Sequence, residues 1–209
     1  MSRGTSWRRR LVIFVKEPRP GRVKTRLAAD LGTVDATWWF RHQSQRLIRR
    51  LSTDPRWETW IAVSPDHAGL QSRVWPAHLR RWPQGTGSLG DRMGAALRGL
   101  RPGPTVIVGA DIPGITPSHV ARAFAALGSA DAVFGPAPDG GYWLIGLRNA
   151  PPAGLFDGVR WSSPTTLDDT IRTLPSHRIA LIDTLRDVDT VEDLHRIAAL
   201  ERRSRPEDR

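Results

Sequence analysis

Leu11-Val12-Ile13-Phe14-Val15 runs without a polar residue into Lys16-Glu17-Pro18-Arg19-Pro20-Gly21-Arg22-Val23-Lys24-Thr25-Arg26. An unbroken apolar run of this length reads as a strand covered on both faces, as in a parallel sheet. Pro18, Pro20 and Gly21 then force an extended, turning backbone before a helix. That leaves its amides and the side chains of Arg22, Lys24 and Arg26 free to surround phosphate oxygens. The segment has neither the Gly-x-x-x-x-Gly-Lys of a Walker loop nor the Gly-x-Gly-x-x-Gly of a dinucleotide fingerprint. A solvated basic loop is the plainer alternative. Lysine usage favours the ligand. Of 31 basic residues only Lys16 and Lys24 are lysine, and both lie in this segment, where a compact ammonium is not replaceable by a guanidinium.

Similar apolar runs recur at Trp60–Val63, Val106–Val108, Ala132–Phe134, Tyr142–Leu147 and Ile179–Ile182, and each reads as a buried strand. Helical stretches lie between most of them. Ser88 with Asp91, followed by Met93, Leu97 and Leu100, is a capped amphipathic helix. Thr116-Pro117 and Ser163-Pro164 each place a cap residue before a first-turn proline. Thr190 with Asp193 opens a last helix whose apolar face is Val191, Leu194, Ile197 and Ala198. Strands alternating with helices imply an α/β sandwich around a largely parallel sheet. Gly140-Gly141 joins two strand-like runs directly, so part of the sheet is antiparallel.

The chain has 209 residues, which fits one domain with a core from about residue 10 to 200 and short basic tails. Cysteine is absent, which excludes disulfides, thiolate metal sites and a catalytic thiol. No two of the six histidines stand at His-x-x-x-His spacing, so a zinc-hydrolase helix is excluded too. The longest apolar run, Leu11–Val15, neither spans a bilayer nor completes a secretion signal behind Arg8-Arg9-Arg10. A cytoplasmic protein without a membrane partner is expected. The net charge is +10. Four of these charges, on Arg3, Arg8, Arg9 and Arg10, sit in the first ten residues, and the last nine residues add a net +1. The remaining excess suits an anionic ligand, although a general bias toward arginine also explains it.

Ligands of open α/β sheets sit beyond the carboxyl ends of the strands, and the polar loops of this chain fall there. Val108-Gly109-Ala110-Asp111-Ile112-Pro113-Gly114 brings a carboxylate out at a strand end, suited to magnesium; capping a turn is its simpler role. Gly135-Pro136-Ala137-Pro138-Asp139-Gly140-Gly141 lets backbone approach a ligand, with Asp139 placed to position or deprotonate an acceptor hydroxyl; a hairpin turn explains it equally. Asp187 and Asp189 flank Val188 and share one face of an extended segment. They either complete the metal site or, for Asp189, favour a helix N-terminus. Gln84-Gly85-Thr86-Gly87-Ser88, leading to Arg92, suits a base or sugar edge, or is a flexible connector. Trp161 is placed to stack on a ring, although core packing serves most tryptophans.

Taken together, Pro20-Gly21-Arg22-Val23-Lys24-Thr25-Arg26-Leu27, Leu89-Gly90-Asp91-Arg92-Met93, Gly109-Ala110-Asp111-Ile112-Pro113, Asp139-Gly140-Gly141-Tyr142-Trp143-Leu144-Ile145-Gly146-Leu147 and Asp187-Val188-Asp189-Thr190 resemble the GT-A superfamily of nucleotide-diphospho-sugar transferases. Within it they look like the small bacterial radical-SAM- or selenodomain-associated transferases, one branch of which is assigned to arsenosugar biosynthesis. More distantly they are similar to guanylyltransferases acting on phospholactate and on the molybdenum cofactor. The resemblance implies a GT-A/Rossmann-like three-layer sandwich, mostly parallel with an antiparallel strand. It gives Asp111, Asp187 and Asp189 the metal role, for Mg2+ or Mn2+. It gives Arg22, Lys24 and Arg26 the phosphate role. Two departures stand out. Many relatives carry Asp-x-Asp where Asp111 is followed by Ile112 and Pro113, and Ser88 stands where an acidic residue is more usual.

The expected activity is glycosyl transfer from a nucleotide-sugar to a small-molecule acceptor, with Lys24, Asp111 and Asp139 catalytic. Gln84, Gly87, Arg92, Gly140, Gly141 and Trp161 join Arg22, Lys24 and Arg26 in binding. The alternative is nucleotidyl transfer from a nucleoside triphosphate to a phosphorylated small molecule, releasing pyrophosphate. A non-catalytic protein binding nucleotide or nucleic acid is a third reading.

Overall fold

The structure, a computed structural model, describes residues 7–100 and 102–203. Arg3 of the amino-terminal tail, and Arg205, Glu207, Asp208 and Arg209 of the carboxyl-terminal tail, lie outside the described residues, as does the side chain of Ala198.

The expected apolar runs form strands β1 (Arg10–Lys16), β2 (Glu58–Ser64), β4 (Thr105–Gly109), β5 (Ala132–Pro136), β6 (Tyr142–Leu147) and β7 (Ile179–Leu181), joined by a short β3 (Arg80–Pro83). Between them run helices α1 (Thr25–Leu31), α2 (Thr33–Ser52), α3 (Asp66–Gln71), α4 (Leu89–Gly99), α5 (Pro117–Ala126), α6 (Thr166–Arg172) and α7 (Val191–Arg203). One sheet orders the strands β3-β2-β1-β4-β6-β5-β7. Every neighbouring pair is parallel except those made by β6, which runs antiparallel to β4 and β5.

β1 is covered on both faces. Leu11, Ile13 and Val15 join Leu47, Ile48 and Leu51 of α2 and Phe124 of α5 in one apolar layer. Val12 packs on the other side with Met93 and Leu97 of α4 and with Leu155 and Phe156. Helices on both faces of one sheet make three layers. Each fully buried Leu or Ile contributes roughly 1.5–3 kcal/mol relative to exposure. A third, smaller cluster joins Leu27 of α1, Ala36 of α2 and Val188, with Val191, Leu194 and Ile197 of α7 packed against it. It binds the two ends of the chain's core together.

Three expectations need correction. β3, Arg80-Arg81-Trp82-Pro83, was not expected, because a short edge strand of charged residues carries no apolar run. β7 is not a buried strand. It lies at the other edge, and Leu181 is 58% exposed. Ser163-Pro164 does not open a helix either, since α6 begins at Thr166 with Thr165 as its cap. Ser163 Oγ accepts from the Thr165 amide at 3.3 Å, and the Thr166 hydroxyl donates to the Ser163 and Arg160 carbonyls at 2.8 Å. A turn results instead, docked on the β5–β6 hairpin, where the Leu167 amide donates to the Gly140 carbonyl at 2.9 Å. By contrast Ser88 with Asp91 and Thr190 with Asp193 both form the expected reciprocal caps.

Gly140 makes that docking possible. Its φ is +85°, and a Cβ there would stand 1.9 Å from the Pro164 carbonyl oxygen. Asp169 secures the same segment from below. Its carboxylate accepts from Arg160 Nε at 2.8 Å, Arg160 Nη2 at 3.0 Å and the Thr165 hydroxyl at 3.1 Å, while Arg172 pairs with it at 2.8 Å. The Arg160 guanidinium holds the Asp169 carboxyl well below the usual range, against the opposing effect of burial. Among the described residues no helix is long and apolar enough to cross a membrane.

Gly140→Ala costs at least about 3 kcal/mol in urea unfolding, because the strained φ is joined by a backbone clash. Gly32→Ala, at φ +83° and ψ 155° with nothing within 4 Å of the new Cβ, meets strain without a clash and costs less, about 1–3 kcal/mol. For Asp169, a lowered folded pKa means stability that is present above about pH 4 and lost as pH falls. The melting temperature of wild type minus that of Asp169→Asn is therefore positive at pH 7 and shrinks between about pH 4 and pH 2.

Candidate functional site

The carboxyl ends of β1, β4, β5 and β7 open on one rim, and their loops carry the chemistry. After β1, Val23 is buried at 4% exposure and anchors the basic loop. Lys24 follows in the left-handed region, at φ 46°, as the cap of α1. For a non-glycine residue that conformation costs roughly 1–2 kcal/mol. It directs a side chain only 6% exposed toward the strand ends.

Apolar neighbours hold the acidic residues outward. Asp111 stands between Ala110 and Ile112, both 3% exposed. Arg50 of α2 donates from Nη1 to the carbonyls of Pro113 at 3.1 Å and Ile115 at 2.8 Å, and so fixes the loop that follows Asp111. Asp187 and Asp189 flank Val188, which is fully buried against Leu27 and Ala36. Burying one residue of an extended trio sends its two neighbours to the opposite side.

The result is a convergence of groups far apart in sequence. Lys24 Nζ lies 2.7 Å from Asp111 Oδ2, 2.7 Å from Asp189 Oδ1 and 4.0 Å from Asp187 Oδ2. One oxygen from each of the three carboxylates lies within 4.8 Å of the others. Burial lowers the Lys24 pKa, but Asp111 and Asp189 outweigh it and the net shift is upward, so the ammonium stays charged. Burial raises the Asp187 carboxyl to about 6, helped by Asp189, Asp111 and Asp139 and opposed by Lys24. This donor set fits a hard divalent cation. It is all oxygen, partly open to solvent, and already organised around one positive centre. An ammonium at 2.7 Å holds the oxygens somewhat farther apart than magnesium would, at roughly 2.0–2.1 Å.

Two cavities meet at this cluster. One, of about 470 Å3, is lined by Lys16, Arg22, Lys24, Arg26 and Arg92 as well as Asp111 and Asp189. The other, of about 260 Å3, is lined by Met93, Tyr142, Trp143, Trp161 and Thr166, with Asp111, Asp139 and Asp187 on its wall. Among the described residues no lysine, arginine or histidine lines the second cavity. Asp139 accepts there from the Gly141 amide at 2.9 Å.

The structure thus gathers Lys24, Asp111, Asp187 and Asp189. It places Arg22, Arg26 and Arg92 on the basic side, and Asp139, Gly141 and Trp161 on the aromatic side. Arg26 reaches Asp189 at 3.4 Å from a largely exposed position. Gln84 sits in the floor of the basic cavity with its amide engaged. Nε2 donates to the Ala62 and Val15 carbonyls at 2.8 and 3.3 Å, and Oε1 accepts from Arg92 at 3.1 Å. Its role here is to hold Arg92. Gly87 and Gly140, expected against a ligand, line neither cavity. A Cβ at Gly87 would meet the Asp91 carboxylate at 2.7 Å, and Gly140 abuts Pro164. Tyr142, Trp143 and Arg50 went unassigned in the sequence. The first two were visible beside Gly141, whereas nothing in an arginine-rich helix singled out Arg50.

None of the curated proteins matches the sequence. Solved structures do. The chain is similar to a crystal structure from Desulfovibrio desulfuricans G20, provisionally described as a nucleotide-diphospho-sugar transferase. They are 29% identical with a TM-score of 0.86, over 95% of this chain and 90% of that one. It also shares its fold with a CMP-2-keto-3-deoxy-manno-octonic acid synthetase complexed with CTP, at 12% identity and TM-score 0.59, over 95% and 100%. A third similar structure is Rv0371c of Mycobacterium tuberculosis in complex with manganese, at 15% identity and TM-score 0.50, over 92% and 98%. These likenesses confirm the GT-A-like α/β architecture. Residues 47–163, which include β4, the Asp111 loop and the β5–β6 hairpin, match the family described as uncharacterized proteins conserved in bacteria, DUF2064, and the chain belongs to that family.

Proposed function

We propose that this protein transfers a glycosyl group from a nucleotide-sugar to a small hydroxylated acceptor, with magnesium or manganese held by Asp111, Asp187 and Asp189. The whole chain acts as one GT-A-like domain, of the radical-SAM- or selenodomain-associated kind that its motifs resemble. The protein is a nucleotide-utilising transferase. One observation supports the finer reading: among the described residues, the acidic cluster stands between a cavity lined by five basic side chains and a cavity lined by none. A donor's phosphates match the first, and an uncharged acceptor matches the second.

In this reading Arg22, Arg26 and Arg92 bind the donor's diphosphate, and Lys24 adds an ammonium to the leaving group as its charge develops. When bound, the divalent cation neutralises that same charge as a Lewis acid. Trp161 offers a face to a ring in the adjoining cavity. Asp139, oriented by the Gly141 amide, takes the proton of the acceptor hydroxyl as its oxygen bonds to the anomeric carbon and the carbon–phosphate-oxygen bond breaks. The manganese in Rv0371c supports a divalent cation in this fold.

Nucleotidyl transfer is the second reading. The number of cations in the basic cavity favours it, as does the CTP held by a protein of the same fold. It requires a phosphorylated acceptor beside Asp111, where the cavity is lined, among the described residues, by carboxylates, hydroxyls, aromatic rings and aliphatic side chains and by no cationic side chain.

Thermal-shift titrations separate the two. Nucleotide-sugars raise the melting temperature in Mg2+ or Mn2+ and lose that effect in EDTA, while free triphosphates give the smaller shift. A response confined to triphosphates would reject glycosyl transfer. Asp111→Asn lowers donor turnover by about 100-fold or more while the melting temperature without ligand stays within a few degrees of wild type.

A further inference from the structure

Lys24 lines the basic cavity, yet its ammonium is engaged by the acidic cluster. Its side chain is 6% exposed, with Nζ 2.7 Å from two carboxylates and 4.0 Å from a third. One oxygen from each of these same three carboxylates lies within 4.8 Å of the others. A resident divalent cation and this ammonium therefore claim the same carboxylates, and their like charges cannot share so small a space.

We propose that Lys24 is a built-in counter-ion of the cation site: its ammonium fills the carboxylate cluster when the cation is absent, and leaves for the basic cavity when the cation arrives. The inference rests on the metal reading above and adds to it a competition and a movement.

Four observations carry it. The ammonium has three tetrahedral donors and can serve three carboxylates around a point, which a planar guanidinium fork cannot. This chain uses arginine at every basic position except Lys16 and Lys24. Lys24 already borders the cavity that receives Arg22, Arg26 and Arg92. Its four-carbon stem lets Nζ swing there with the backbone fixed. Finally, the carboxylates are a third or so exposed, at 32%, 37% and 37%, so a solvated cation can approach them.

The arrangement couples two ligands. A cation binding alone must displace Lys24 into a cavity of other positive charges, which weakens its hold. The donor's phosphates give the freed ammonium a partner, which restores it. Cation and donor then bind with positive cooperativity, each raising the other's affinity by the same factor.

Because Lys16 and Lys24 are the only lysines, amine acetylation read by mass spectrometry reports on Lys24 with exposed Lys16 as the internal reference. In EDTA, Lys24 is acetylated far more slowly than Lys16. Saturating Mn2+ without nucleotide speeds Lys24 by about fivefold or more and leaves Lys16 unchanged. Calorimetric Mn2+ titration gives the complementary reading: Lys24→Met binds the ion about tenfold or more tighter than wild type. If both proteins bind Mn2+ equally, or if Lys24 is no more reactive once Mn2+ is bound, the counter-ion role is overturned while the metal site stands. If neither binds Mn2+ at millimolar concentration, the metal reading falls and this inference with it. Should Lys24→Met fail to fold, the wild-type reactivity alone decides.

Discussion

Burial of β1 on both faces sets the geometry of everything at the rim. A strand with no solvent face must be flanked by strands and covered by helices on both sides, and parallel neighbours put the flanking carboxyl ends beside its own. β2 and β4 are those neighbours. The helices that return the chain pack Leu47, Ile48 and Leu51 below β1 and Met93 and Leu97 above it. The loops after β1 and β4 are thereby adjacent, although Lys24 and Asp111 are 87 residues apart.

The acidic groups are placed by hydrophobic burial more than by attraction to a partner. Val188 sinks between Leu27 and Ala36, while Ala110 and Ile112 enter the main core. Each sends a carboxylate toward the same spot. Burial first, and then repulsion from the neighbouring carboxylates, raises Asp187 to about 6. A cation is required, and Lys24 supplies it. The strained backbone at Lys24 is the local cost of bringing that ammonium in from the opposite loop.

Charge is divided sharply across Asp111. Arginines cluster on the side next to β1, where Gln84 bridges the β1 and β2 carbonyls to hold Arg92. The other side is closed by the β5–β6 hairpin and the Ser163–Thr165 turn, and Asp169 keeps Arg160 engaged in that wall. The proposed donor and acceptor sites thus fall in separate halves of one cleft.

Strand positions, the antiparallel hairpin, the caps at Ser88 and Thr190, and the pairing of Asp187 with Asp189 were legible from residue order, because each depends on patterns within a few residues. Turn-like placement of Ser163-Pro164, the exposure of β7 and the existence of β3 were not, since contacts with Gly140 and position at a sheet edge decide them. The linear chain also named Lys24, Asp111, Asp187 and Asp189 but could not state their relation. Local patterning fixes which way a side chain points from its own strand or loop; only the closing of the sheet, which brings residues 87 and 165 positions apart to 2.7 Å, made the lysine the centre of the carboxylate cluster.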